Sequence, residues 1–212
     1  FKGKVTSWDV VNESFLDDGS WREGNDDPLK NDIWYEKIGE DYIGIAFRAA
    51  HAADPDALLF YNDYGMEWSK SRRDHISAYV TSLKNKGVPI HGIGLQMHAH
   101  IDTGRENISA ALTAAASTGL LVHISELDIE VNHSKNPNAV FTDQLAQRQK
   151  EAYKSMFEAF MAVPKDKQYG ISFWGVDDAH SWLTPVPDWP LPFDKNFKKK
   201  PAYYGMTETF PE

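Results

Sequence analysis

The sequence has no cysteine, so no disulfide can form, and the redox compartment of the protein is left open. No apolar run approaches the roughly 20 residues that a membrane-spanning helix needs. Positive charge is scarce as well, because 22 Lys and Arg stand against 31 Asp and Glu, for a net charge of −9. Nucleic acids and anionic membrane surfaces attract clustered Lys and Arg, so neither is expected as a partner.

Two further absences concern phosphate motifs and the start of the chain. No G-x-G-x-x-G pattern or P-loop follows any predicted strand, which argues against the dinucleotide-binding folds. The chain begins with Phe1 and shows no signal peptide, so we expect it to be a processed or excised piece.

Apolar and aromatic residues, by contrast, are plentiful. The 212 residues are 42% hydrophobic, which is enough for one sizeable core. Seven Trp, nine Tyr and eleven Phe suit either a sugar-binding cleft or that core, and composition does not separate the two.

A strand followed by a helix recurs five times along the chain. The predicted strands are 5–12, 58–62, 92–98, 121–127 and 170–174. After the first strand a polar loop, 17–32, leads to a predicted helix, 33–53, whose apolar side would be Ile38, Tyr42, Ile45 and Ala49. The alternation predicts parallel strands joined by right-handed crossovers.

Each predicted strand ends in side chains suited to chemistry. These are Asn12 and Glu13, Asn62 and Asp63, Gln96 and His98, Glu126 and Asp128, and Trp174. An open doubly wound sheet would concentrate such residues at one switch point, whereas a barrel places them around its whole C-terminal rim. We therefore predict an α/β fold, the (β/α)8 TIM barrel.

Five units cannot close an eight-stranded barrel, which usually needs ~250 residues. We expect this chain to supply about strands four to eight, as a single partial catalytic domain over residues 1–212. The first three strands would then reside in a second chain or segment.

Glu13 and Glu126 stand out because both follow strands at the same predicted rim. Glycoside hydrolysis needs one carboxyl to donate a proton and another to attack or to activate water, roughly 5 Å apart in retaining enzymes. Gln96 and His98 share one strand face, as do Glu126 and Asp128. A satisfied buried polar network remains an alternative, and so does a metal site formed by His98, His100 and Glu126.

Six segments in this order resemble the C-terminal part of family 10 glycoside hydrolases, mostly endo-β-1,4-xylanases. They are WDVVNE (8–13), LFYNDY (59–64), GIGLQMH (92–98), ISELDI (124–129), FWGVDDAHSWL (173–183) and PFDKNFKKKPAYY (192–204). The resemblance implies the (β/α)8 barrel, with this chain as its fourth to eighth strands.

The resemblance also implies residue roles. Glu13 would be the acid/base and Glu126 the nucleophile of a retaining enzyme. The expected substrate-binding or supporting residues are Asn12 on the sugar 2-hydroxyl, Asn62 and Tyr64 on the leaving-group side, Gln96 beside the nucleophile, His98 and Asp128 orienting Glu126, and Trp174 and Trp182 around the distorted sugar. No metal and no cofactor are expected.

The implied partners are xylan or xylo-oligosaccharides and the missing N-terminal part of the barrel. Secretion or a cell-surface location is expected from the size of the polymer. Three alternatives stay open: another retaining glycanase such as a mannanase or cellulase, a carbohydrate-binding remnant without catalysis, and a metal-dependent hydrolase.

Overall fold

The computed structural model describes residues 1–23, 31–183 and 185–210; part of the predicted loop 17–32 lies outside these ranges. The described residues form six strands and six α-helices. The strands are β1 (Ser7–Asn12), β2 (Leu58–Asp63), β3 (Gly92–Leu95), β4 (His98–His100), β5 (Leu121–Glu130) and β6 (Gln168–Phe173). The helices are α1 (Ile33–Ile38), α2 (Asp41–Ala53), α3 (Lys70–Asn85), α4 (Arg105–Ser117), α5 (Asp143–Met161) and α6 (Pro201–Thr207).

All strand pairs of this sheet are parallel, as the strand–helix alternation predicts. β1 pairs with β2, β2 with β3, β3 with β5, and β5 with β6. The short β4 continues the direction of β3 and pairs with the C-terminal half of β5. The central strands β2, β3 and β5 are largely buried, as strands covered on both faces are. β1, β2, β3, β5 and β6 therefore lie side by side in chain order, and β4 pairs with β5.

The third predicted strand, 92–98, is interrupted where a single strand was expected. Met97 adopts a φ of 58°, a left-handed conformation that an extended strand cannot contain. The backbone therefore leaves β3 after Leu95 and re-enters the sheet at His98 as β4. The Met97 side chain is fully buried in the core. Its packing there stabilises the left-handed turn between β3 and β4.

The predicted helix 33–53 is also divided, because α1 ends at Ile38 and α2 begins at Asp41. The break separates Ile38 from α2, and the expected apolar stripe is wrong in part. Ile43 and Phe47 face the core together with Tyr42, whereas Ile38, Ile45 and Ala49 are exposed. The sequence also predicts helices near 71–86, 103–118, 142–163 and 202–207, and these agree with α3, α4, α5 and α6 to within about two residues.

The sheet curls so that side chains from its two end strands meet. The Tyr169 hydroxyl of β6 donates to Ser7 Oγ of β1 at 2.7 Å. The Tyr169 ring lies 4.7 Å from Phe60 and 5.0 Å from His123, so aromatic side chains fill the space inside the curve. A packed interior of this kind is typical of a (β/α) barrel.

The outer edges of β1 and β6 pair with no strand of the described residues. Beside β1 lies a groove of about 670 Å³, lined by Val10, Trp34, Ile38 and Ile45 among others. Trp34 is 62% exposed there, and Ile45 is also exposed. Within the described ranges, no helix is long and apolar enough to cross a membrane.

Candidate active site

The strand ends converge on one cleft at the C-terminal rim of the sheet. Its volume is about 450 Å³. The residues that line it are Asn12, Glu13, Tyr64, Glu67, Trp68, Gln96, His98, Glu126, Trp174 and Trp182. Eight of the ten predicted catalytic and substrate-binding or supporting residues are therefore in the lining. The two remaining residues, Asn62 and Asp128, lie directly behind it.

Three carboxamides connect Glu13 to Glu126 by hydrogen bonds. Gln96 Nε2 donates to Glu13 Oε1 at 2.9 Å and to Asn12 Oδ1 at 3.1 Å. Asn62 Nδ2 donates to the same Asn12 oxygen at 2.8 Å and to Glu126 Oε1 at 2.7 Å. Since Asn12 accepts both bonds through its oxygen, its NH₂ group faces the opposite way and donates to no described residue. One connected network thus holds both carboxylates and leaves a donor for a ligand.

Asn62 lies behind Glu126, the nucleophile candidate, and its side chain is not exposed on the leaving-group side of the cleft. It is 1% exposed, and its Oδ1 accepts a 2.6 Å hydrogen bond from Ser125 Oγ. The amide is therefore fixed in one orientation, with its NH₂ group toward Glu126 and Asn12. The adjacent strand makes room for it at Gly94, where any Cβ would collide with Asn62 Oδ1.

Glu126 also contacts a second chain of polar groups. His98 Nε2 lies 3.4 Å from Glu126 Oε2, and His98 Nδ1 lies 3.1 Å from Asp128 Oδ1. Trp182 Nε1 donates to the other Asp128 oxygen at 2.7 Å. Burial alone lowers the pKa of His98, but the hydrogen bonds to Asp128 and Glu126 and their charges raise it to about 9. His98 is thus an imidazolium at neutral pH, and its positive charge lies beside the Glu126 carboxyl group.

Glu13 is held from the other side by Arg22, which sequence reasoning missed. Arg22 Nε donates to the Glu13 carbonyl oxygen at 2.7 Å, and its Nη2 lies 3.4 Å from both Glu13 Oε2 and Tyr64 Oη. Glu13 itself has a φ of 56°, a costly conformation for a side chain of its size. Arg22 lies in an irregular loop, so no strand or helix periodicity could have pointed to it.

Both predicted tryptophans line the cleft. Trp174 and Trp182 are each about half exposed, although the Trp182 indole N–H is used by Asp128. The Trp182 ring lies 5.0 Å from the His98 ring. Flat, partly open aromatic rings of this kind suit the apolar face of a sugar.

The metal alternative has no donor cluster among the described residues, where no group of three or more His, Asp and Glu could hold an ion. His100 turns away from the cleft and stacks on His133, with ring centroids 4.5 Å apart.

Parallel strands with outer helices, and two network-linked carboxylates in an aromatic cleft, are the arrangement expected of part of a (β/α) barrel with a glycosidase-type site. The family model described as glycosyl hydrolase family 10 matches residues 1–209, and the chain belongs to this family. The expected (β/α)8 fold class, with this chain supplying part of the barrel, is confirmed by its structural neighbours.

Curated and solved relatives agree on the family. The chain is 41% identical to an endo-1,4-beta-xylanase of Geobacillus stearothermophilus over 97% of its own length. The structure of a GH10 protein from Paenibacillus barcinonensis superposes with a TM-score of 0.88 at 35% identity, covering 99% of this chain and 64% of that one. The intracellular xylanase TsXylA from Thermoanaerobacterium saccharolyticum gives 0.83 at 39% identity, covering 95% and 57%. The chain spans 63% of the Geobacillus protein, less than two thirds.

Asp128→Asn in the full-length protein is expected to lower the pKa of His98 from about 9 toward 6.5, because it removes one of the two charges that raise it. The folded-state pKa of His98 lies above its unfolded value. Its contribution to stability is therefore complete below pH 6.5 and is lost as the pH rises through about 9. The variant should flatten the dependence of the unfolding free energy on pH in that window.

Titration of the His98 ring protons by NMR measures this midpoint directly. Asp102→Asn is the matched control, since Asp102 is exposed and pairs with Arg148 outside the cleft. A midpoint that stays near 9 in Asp128→Asn would contradict the assigned role of Asp128.

Proposed function

We propose that this chain is the C-terminal catalytic portion of a retaining endo-1,4-β-xylanase that hydrolyses the xylan backbone. The observation that carries the proposal is the network that links Glu13 to Glu126 in a cleft walled by aromatic rings. Relatives with this name support the substrate. TsXylA variants with alanine in place of a glutamate were solved with xylotriose and with xylotetraose.

In the first step, Glu126 attacks the anomeric carbon while Glu13 gives its proton to the glycosidic oxygen, whose bond to that carbon breaks. The imidazolium of His98 and the amide of Asn62 hold the Glu126 carboxyl group in position for the attack. In the second step, Glu13 takes a proton from water as the water attacks the same carbon and releases Glu126. Two inversions give net retention of configuration.

The free NH₂ group of Asn12 suits a hydrogen bond to the sugar 2-hydroxyl beside this carbon. Such a bond strengthens as positive charge develops on the sugar in the transition state. Trp174 and Trp182 would hold the same sugar ring by contact with its apolar face.

A 2-deoxy-2-fluoro-xylobioside with a good leaving group tests the mechanism in the full-length protein. The fluorine slows the second step, so the glycosyl-enzyme accumulates, and peptide mass mapping is expected to locate the sugar on Glu126. A label on any other residue would overturn the assignment of the nucleophile.

A β-1,4-glucan is the second candidate substrate, because one relative at 39% identity is named exoglucanase XynX, from Acetivibrio thermocellus. Initial rates on xylohexaose, cellohexaose and mannohexaose distinguish the candidates. Binding of xylohexaose without turnover of any of the three would favour a carbohydrate-binding remnant.

The remainder of the barrel is proposed as the partner of this chain. Its support is the pair of unpaired edges, β1 and β6, together with the exposed apolar residues Trp34 and Ile45 beside β1. Secretion is proposed only from the size of a polymeric substrate, and the TsXylA relative is described as intracellular.

A further inference from the structure

Arg22 is placed beside the acid/base candidate by a loop that folds back on itself. Phe15 and Trp21 pair as an antiparallel bridge, and their ring centroids lie 4.6 Å apart. Directly after this bridge, the Arg22 backbone N–H donates to the Ser14 carbonyl oxygen at 3.3 Å. The loop therefore returns the chain to the end of β1, where Glu13 lies.

Arg22 contacts both the backbone and the carboxyl group of Glu13. Its Nε donates to the Glu13 carbonyl oxygen at 2.7 Å, and its Nη2 lies 3.4 Å from Glu13 Oε2. The first bond anchors the guanidinium to the backbone of the same residue whose carboxyl group it approaches. The Arg22 side chain is 15% exposed, so solvent ions screen its charge less than they would on an open surface.

The two oxygens of the Glu13 carboxyl group have different neighbours. Oε1 accepts a 2.9 Å hydrogen bond from Gln96 Nε2, whereas Oε2 faces the guanidinium of Arg22 at 3.4 Å. The N–H groups of an amide and of a guanidinium are donors only, so neither neighbour can accept a proton from Glu13. The oxygen with the shorter bond serves as the acceptor, which leaves the acidic proton of Glu13 to Oε2.

The O–H group of Oε2 must then point away from the guanidinium, because two donors facing each other repel. The direction that remains is the cleft, which Glu13 lines together with Glu126. The 3.4 Å separation between Arg22 Nη2 and Glu13 Oε2 is also longer than the roughly 2.8 Å of a charge-assisted bond to a carboxylate. This longer contact is the one expected for a carboxyl oxygen that still carries its proton.

Tyr64 and Asp17 hold the guanidinium from another side. Arg22 Nη2 lies 3.4 Å from the Tyr64 hydroxyl oxygen, and this hydroxyl donates to Asp17 Oδ1 at 2.6 Å. Burial raises the pKa of Tyr64 to about 12, so its oxygen is neutral at neutral pH. Negative charge that forms on Glu13 Oε2 therefore attracts Nη2 more strongly than the Tyr64 oxygen does.

We propose that Arg22 is the positioning residue of the acid/base and that its guanidinium stabilises the negative charge that forms on Glu13 Oε2. In the first step the O–H bond of Oε2 breaks and its electron pair stays on that oxygen. The proton bonds to the glycosidic oxygen while the bond from this oxygen to the anomeric carbon breaks. The contact between Nη2 and Oε2 then becomes a charge-assisted hydrogen bond.

An interaction that is stronger in the transition state than in the ground state raises the rate of the step in which it strengthens. The contact from Arg22 has this property, since the charge on Oε2 develops only as the proton leaves. The inference rests on the proposed function and deepens it, because it assigns the oxygen that carries the proton and the group that controls its release.

Two aryl β-xylobiosides, used with the full-length protein, separate acid assistance from a structural role. Dinitrophenolate leaves without protonation, whereas phenolate needs the proton that Glu13 gives. Because kcat/KM reports only the steps up to departure of the leaving group, the second step does not enter. Arg22→Met should lower kcat/KM for phenyl β-xylobioside about 10- to 100-fold and change that for the 2,4-dinitrophenyl substrate by less than about 2-fold.

The ratio of these two kcat/KM values is the decisive quantity, because a partly unfolded preparation lowers both by the same factor. Arg22→Lys keeps the positive charge and should restore part of the ratio. Arg105→Met is the matched control, since Arg105 pairs with Glu158 outside the cleft, and its ratio should equal that of the parent. Equal losses on both substrates in Arg22→Met, or no loss on either, would overturn the proposal.

The parent protein keeps this result distinct from failure of the proposed function. A parent that cleaves neither aryl xylobioside rejects the xylanase function, and the role of Arg22 with it. A parent that cleaves both, combined with an unchanged ratio in Arg22→Met, rejects the role of Arg22 alone.

Discussion

Glu126→Ala in the full-length protein is expected to lower kcat for xylohexaose on the order of 10⁵-fold, because no other carboxylate can form the glycosyl-enzyme bond. Asn62 Nδ2 and His98 Nε2 both lie on Glu126 oxygens, whereas the neighbouring carboxylate of Asp128 is only 1% exposed behind the cleft. The folded structure should change little, since the smaller side chain opens space on the cleft side. Steady-state rates, with circular dichroism as the check on folding, measure the effect.

Azide distinguishes the roles of the two carboxylates in a way that rate loss does not. With 4-nitrophenyl β-xylobioside, azide should rescue Glu126→Ala by one direct displacement of nitrophenolate, giving the α-azide. In Glu13→Ala, azide should replace water in the second step and give the β-azide, because two inversions have then occurred. The opposite pair of products would show that the roles are exchanged.

Glu130→Gln is the matched control for Glu126→Ala. Glu130 belongs to the same strand, but its carboxylate pairs with Lys135 and His133 outside the cleft. Its kcat should stay within about 2-fold of the parent if the loss in Glu126→Ala reflects chemistry and not the removal of any acid from β5.

The second large effect is expected from restoring the rest of the barrel. The chain by itself should show no measurable turnover and should aggregate, because β1 and β6 expose unpaired parallel edges. Adding the part of the Geobacillus stearothermophilus xylanase that this chain does not cover should raise the rate about 10³-fold or more, since it completes the cleft that positions the sugar.

Size-exclusion chromatography and xylohexaose hydrolysis measure this association together. The same mixture made with the Glu126→Ala chain should stay inactive, which shows that the activity comes from this chain and not from its partner. A monodisperse, fully active chain without any addition would reject the proposed partner.

The sequence predicted the strand ends well because polar residues after apolar strands have few structural explanations. Asn12, Glu13 and Glu126 all reach one cleft from strands far apart in the chain. The interruption at Met97 was not predictable, since a left-handed residue other than glycine leaves no mark in hydrophobic periodicity. The exposure of Ile45 was not predictable for a related reason. A pattern of apolar residues along a helix does not show which helix face the rest of the protein will cover.

The contacts that loop residues make with the cleft were also not predictable from the sequence. Arg22 reaches Glu13 from an irregular segment, and Trp68 reaches the cleft because Gly65 leaves space beneath it. Loop residues follow no period of 2 or 3.6, so their side-chain directions become known only with coordinates. Asn62 was predicted as part of the site, but its place behind Glu126 depends on the register of β2 against β1.

The space that Gly94 leaves for Asn62 has a consequence for protein engineering. Saturation libraries at position 94 should yield essentially no active clones, because even a methyl group would push the Asn62 amide off both Glu126 and Asn12. Position 68 carries no such restriction, since Trp68 is 53% exposed and reaches the cleft from a loop. Attempts to reshape the cleft by directed evolution are therefore best aimed at position 68 and kept away from β3.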